Sequence, residues 1–111
     1  MAAYFDTNTP KKLLASFKKA IDDGHIITWA YDEDGDFTHT APQWKNKAWM
    51  CPSVENNRLV FNILKPESTA LNPEVYAIYH GRIIESLLAH FDNLFTEGNA
   101  TALASVGDVV E

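Results

Sequence analysis

A chain of 111 residues with 46% hydrophobic content fits one globular domain and excludes disorder throughout. Its 15 acidic and 9 basic residues give a net charge of −6, which argues against a general electrostatic nucleic-acid binder, because that needs clustered Lys and Arg facing phosphates. One cysteine, Cys51, allows no internal disulfide, and neither a signal peptide nor an apolar run of the roughly 20 residues that cross a bilayer is visible, so the expected location is cytoplasmic and no membrane is expected as a partner.

Residues 1–8 read as a loose lead-in. Thr9-Pro10 then marks a helix start, with Thr9 as the capping side chain and Pro10 at a position that needs no donor. Leu13, Leu14, Phe17, Ala20 and Ile21 follow at helical spacing, and Gly24 is the stop. Asp22 and Asp23 in the last turn oppose the helix dipole, so this helix owes its stability to packing.

Residues 25–31 and 36–41 read as a β-hairpin. A two-residue Asp34-Gly35 turn would set Tyr31 opposite Thr38. A three-residue Glu33-Asp34-Gly35 turn, with Gly35 left-handed in a bulge, sets Tyr31 opposite Phe37 and Trp29 opposite His39. A one-residue slip would move a whole apolar set to the other face, and only the second register groups the aromatics. Pro42–Asn46 is a connection. A third strand spans 47–51 and is stopped by Pro52; Glu55-Asn56-Asn57 is a turn; a fourth strand spans 58–64, apolar on both sides as expected near the middle of a sheet.

Asn72-Pro73 opens a second helix over 73–96, roughly 35 Å long. Tyr76, Tyr79, Ile83, Leu87, Phe91 and Leu94 form one stripe, widened by Ile84, Leu88 and Phe95, and Gly98 ends it. The arc is wider than a sheet needs, so its surplus must meet the first helix or a second copy. The shared surface of such a homodimer would include Tyr76, Ile84, Leu88 and Phe95. Residues 99–111 read as a mobile tail outside a domain over 1–98. The expected fold is therefore α+β, in the order α-β-β-β-β-α, with a four-stranded antiparallel meander and both helices on one sheet face.

No phosphate loop, dinucleotide fingerprint, nucleophile elbow or zinc helix appears, and no cofactor is expected. Asp32, Glu33, Asp34 and Asp36 place four carboxylates within five residues. Their spacing matches the opening of a calcium loop, but Phe37 and Gln43 stand where that loop requires glycine and glutamate, and strands flank it where helices should, so no metal is expected. Asp and Gly suit a solvated hairpin tip, yet the mutual repulsion of these charges would be relieved by a cationic partner. His39 with Asp36 suggests a general base, but the two point to opposite strand faces. His80 and His90 are too far apart in sequence to grip one metal on a helix face.

The candidate binding surface is Asp32, Asp34 and Asp36 with Trp29, Tyr31, His39, Trp44 and Trp49. Tryptophans anchor protein interfaces or stack on bases, and only Lys45 and Lys47 lie near these, so nucleic acid is the weaker reading. The expected function is a non-enzymatic protein-binding or regulatory module of inhibitor, immunity or adaptor type, with a protein partner or itself as a homodimer. The alternative is a small enzyme or ligand binder whose pocket between sheet and helices is lined by His39, His80, Tyr79, Trp49 and Cys51.

Overall fold

A computed structural model describes residues 2–111. It contains β1 (Ala3–Asp6), α1 (Pro10–Asp22), β2 (Trp29–Tyr31), β3 (Phe37–His39), β4 (Trp49–Glu55), β5 (Arg58–Leu64), α2 (Pro73–Phe91) and β6 (Glu97–Ala100). The class is α+β, but the sheet has six strands in the order β2-β3-β4-β5-β1-β6, where four were expected. The meander β2 to β5 is as anticipated. The two additional strands come from the segments read as a lead-in and as the end of the second helix and the tail. β1 pairs antiparallel with β5 (Ala3 with Phe61, Phe5 with Leu59) and β6 pairs antiparallel with β1 (Phe5 with Gly98).

The hairpin adopts the register that groups the aromatics: Trp29 faces His39 and Tyr31 faces Phe37. Gly35 has φ +82°, the left-handed conformation that the bulged turn demands. β4 runs through Pro52 and pairs it with Phe61. Proline is tolerated there because β3 reaches along β4 only as far as Met50, leaving this stretch with β5 as its sole neighbour.

α1 begins at Pro10, but Thr9 makes no side-chain capping bond. Its carbonyl accepts from Leu13 N, and its own N–H donates to Thr7 Oγ1. Asp22 and Asp23 are both engaged: Tyr31 OH donates to Asp22 at 2.6 Å and Lys19 pairs with Asp23 at 2.8 Å. α2 is capped as expected, with Asn72 Oδ1 accepting from Val75 N, but it ends at Phe91, five residues short of the expected 96. The turn after it frees Phe95 to pack edge-on against Phe5, with centroids 5.2 Å apart.

One cluster joins the buried residues of both helices (Leu13 and Phe17; Tyr79, Ile83 and Leu87) to Phe5, Trp29, Phe37, Met50, Leu59, Phe61 and Ile63 from the sheet. Phe17 stacks on Phe37 at 4.7 Å. The alternate positions, Tyr4, Asp6, Arg58, Val60, Asn62, Leu64, Trp49 and Cys51, are half-buried and form the outer face. No helix among the described residues is long and apolar enough to cross a membrane.

Candidate functional site

The hairpin geometry sorts the candidate surface residues into two sets. Trp29 is 1% exposed and His39 5% exposed, so neither belongs to a contact surface. Trp29 Nε1 donates to Ser86 Oγ at 3.1 Å, and its ring lies against His39 (5.2 Å) and Tyr79 (5.7 Å). This is the core solution for a tryptophan, with apolar area packed and the indole N–H satisfied. Tyr31, Trp44 and Trp49 are half-buried. Lys18 sits 5.5 Å above the Tyr31 ring.

Asp32 and Asp34 are exposed and Asp36 is half-buried, and each offers a carboxylate oxygen within 4.8 Å of the others. Turn chemistry creates this cluster. Asp32 Oδ1 accepts from Asp34 N and Asp36 N, both at 3.0 Å, while Asp32 N–H donates to Asp36 O. Burial pushes the Asp36 carboxyl above its ordinary range; a hydrogen bond from Cys51 pulls it down, and the charges of Asp32 and Asp34 push it up again. The ion pairs Lys19–Asp23, Arg58–Asp6 and Arg82–Glu85 lie elsewhere. Phe37, where a calcium loop needs glycine, is fully buried in the core.

The residues of the candidate pocket are divided between the two sheet faces, with Trp49 and Cys51 on the outer one. His39 and Tyr79 lie inside, with ring centroids 6.3 Å apart. Tyr79 OH donates to the Trp44 carbonyl, which leaves Thr38 Oγ1 as the donor to Tyr79 at 3.0 Å, and Asn46 N–H donates to Thr38 Oγ1 at 3.1 Å. These bonds pin the 40–47 connection to α2. His39 Nδ1 accepts from Ala41 N at 3.2 Å; burial, with a smaller contribution from Arg82, holds the imidazole below its usual pKa and therefore neutral. His80 is buried, with Nδ1 2.6 Å from Tyr76 O.

Cys51 lies on the outer face beside Asp36. Burial and the hydrogen bond to that carboxylate raise the thiol to about 11, the opposite of what a nucleophile requires.

Three cavities among the described residues are lined by none of His39, Tyr79, His80, Trp49 and Cys51. Clefts of about 560 and 440 Å³ flank the start of α1 and share Asn8, Thr9, Lys12 and Asn57. One of about 230 Å³ sits between Asn46, Lys47 and the segment Thr69–Val75.

The outer face holds two arrangements that sequence reasoning missed. Arg58 lies 4.3 Å above the Tyr4 ring and bonds Asp6 at 3.1 Å. Asp108 accepts from Ser105 N, Asn62 and Ile63 N; burial pushes its carboxyl up, but the hydrogen bonds from Ser105, Asn62 and Ile63 outweigh it and hold the carboxyl below its usual range. A Gly-Asp-Val-Val run is a visible turn-and-strand signal, but nothing local to it points to β5.

Comparison with protein-family models, curated proteins and solved structures finds no match.

Proposed function

We propose that this chain is a small non-enzymatic protein-binding module of inhibitor, immunity or adaptor type, working in the cytoplasm and meeting a basic partner through the β2–β3 tip. One observation carries this reading: Asp32, Asp34 and Asp36 are held with carboxylate oxygens within 4.8 Å of one another at a surface turn. Clustered like charge is unfavourable in the free protein, and Lys or Arg from a partner relieves it while steering encounter. Half-buried Tyr31 beside the tip supplies an aromatic flank. The titratable groups favour binding over catalysis, since the His39 Nδ1 lone pair is taken by Ala41 N–H and the Cys51 thiol stays protonated.

The test is affinity capture of interacting proteins at low salt, using the wild-type chain and a variant with Asp32, Asp34 and Asp36 changed to Asn. A basic protein retained by wild type and released by the variant, or by salt, supports the tip. Equal retention removes it.

A homodimer is the second reading, favoured by Leu88, which is 51% exposed on α2 beside half-buried Ile84. Phe95 is less available to it, because its ring packs on Phe5. A single-chain mass by light scattering at high concentration rules the homodimer out.

A further inference from the structure

β1 covers only part of the β5 edge. Its register on β5 runs from Asp6 with Arg58 to Ala3 with Phe61. Past that point the edge is filled by the segment Ser105–Val110. Val109 N–H donates to Ile63 O at 2.9 Å, Lys65 N–H donates to Val109 O at 2.7 Å, and Leu64 and Val109 form a parallel β-bridge. Ile63 N–H, which a full strand would satisfy with a carbonyl, instead donates to Asp108 Oδ1 at 3.1 Å. Asn62 Nδ2 donates to Asp108 Oδ1 (2.9 Å) and to Val106 O (3.0 Å), and Ser105 N–H donates to Asp108 Oδ2 (2.8 Å). Leu71 N–H donates to Val110 O at 2.9 Å.

The segment is held by these polar contacts and, at its end, by Val110, which is half-buried against the core. Val106 is 100% exposed, Val109 48% and the preceding Leu103 79%. Apart from Val110, little apolar area opposes its release, which places it among the parts of a fold that open readily. Release leaves Ile63 N–H, Ile63 O, Lys65 N–H and the Asn62 amide in a row, and such an unpaired edge is a template for another strand.

We infer that the β5 edge at Ile63–Lys65 is a strand-addition slot, filled at rest by the chain's own Ser105–Val110, and that it accepts an extended segment of a partner protein running parallel to β5 with an aspartate followed by two β-branched residues. The carboxylate meets Ile63 N–H and Asn62, and the backbone of the next residue completes the ladder; this is recognition by strand addition. Asp108-Val109-Val110 is the pattern because it is what the slot holds now. A tethered segment has an effective concentration on the order of millimolar, so an outside peptide competes poorly until the tether is weakened. The slot is separate from the acidic tip, and either can fail without the other.

The test is fluorescence anisotropy with a labelled peptide copying residues 105–111, titrated with the full chain as wild type and as Asp108→Ala. The expected result is at least tenfold tighter binding to Asp108→Ala, lost when the aspartate of the peptide itself is replaced by alanine, and unaffected by Asn at Asp32, Asp34 and Asp36. Val109→Pro, which removes the N–H to Ile63, is the parallel variant should Asp108→Ala fail to fold by circular dichroism. A folded variant that does not bind the peptide, or binds it regardless of its aspartate, overturns the slot. A concentration-dependent wild-type dimer that the peptide dissolves overturns the assignment to another protein and gives the slot to a second copy.

Discussion

The two halves of the sheet are equally dry inside but are built differently. In the β2–β3 half, partners lie close in the chain: Tyr31 meets Phe37 and Trp29 meets His39 around a turn organised by the Asp32 carboxylate. In the β1–β6 half, Ala3 meets Phe61 on one side and Ala100 on the other. Phe37 and Phe5 are each fully buried, and both lie against Phe61, at 5.8 and 6.0 Å. The first half closes small loops. The second closes far longer loops, from Ala3 to Phe61 and from Ala3 to Ala100, so its closure entropy is met only as the core assembles.

Removing one ring from each half tests that equivalence and is the largest effect expected. Phe5→Ala and Phe37→Ala should each cost about 3–5 kcal/mol, the range for emptying a buried phenylalanine site. Urea denaturation of the two variants is the measurement. A cost for Phe5→Ala below about 0.5 kcal/mol, the scale of ordinary surface substitutions, would make β1 peripheral and break the comparison.

The same contrast explains what could be read from the residues. Hairpin register followed from Gly35 and the alternation of aromatics. α1 followed from Pro10 and the Leu13–Phe17 spacing. β1 and β6 are four residues each, too short for alternation to stand out, and their partners are remote. α2 was over-extended because Leu94 and Phe95 continue the apolar stripe, although they pack from a turn. For the candidate site, the acidic tip was legible because it is local. The aromatics are less legible, because alternation cannot say which face α1 and α2 will cover, and Trp29 and His39 lie in the core. The Asn62–Asp108 contact spans 46 positions and carries no local sign.

Asp108 gives a smaller effect, one that sharpens the comparison by probing the non-local half through pH. Its folded-state carboxyl is held below the ordinary 3.8, so the stabilisation is fully present above that value and is lost as pH falls through the lower folded value. Asp108→Asn should cost about 1 kcal/mol at neutral pH after solvent screening is allowed for. The difference in urea midpoint between wild type and variant should hold from neutral pH down to about 5 and shrink below about 4, the ordinary carboxylate range. A difference independent of pH down to about 2.5 would show that packing around Gly107 holds the segment and the charge does not. Gly107 has φ +99°, and a Cβ there would lie 2.8 Å from Asn62 Oδ1.

The smallest effect lies in the local half and has the opposite sign. Asp36 is raised, so its ionisation disfavours the fold, and stability contributed by the protonated form is lost as pH rises through the folded value. Asp36→Asn removes one of three crowded charges while keeping an oxygen for the Cys51 thiol, and should stabilise the protein by a few tenths of a kcal/mol at pH 7. The thiol reports the same change independently. Its rise from 9.0 to about 11 leaves about 100-fold less thiolate than an unperturbed cysteine, and part of that rise comes from the Asp36 charge. Iodoacetamide should therefore label wild-type Cys51 slowly and label Asp36→Asn faster at the same pH. Equal labelling rates would mean that burial alone protects the thiol. The carboxylates of the tip would then be too well screened by water to act on one another, and the electrostatic case for a basic partner would weaken with them.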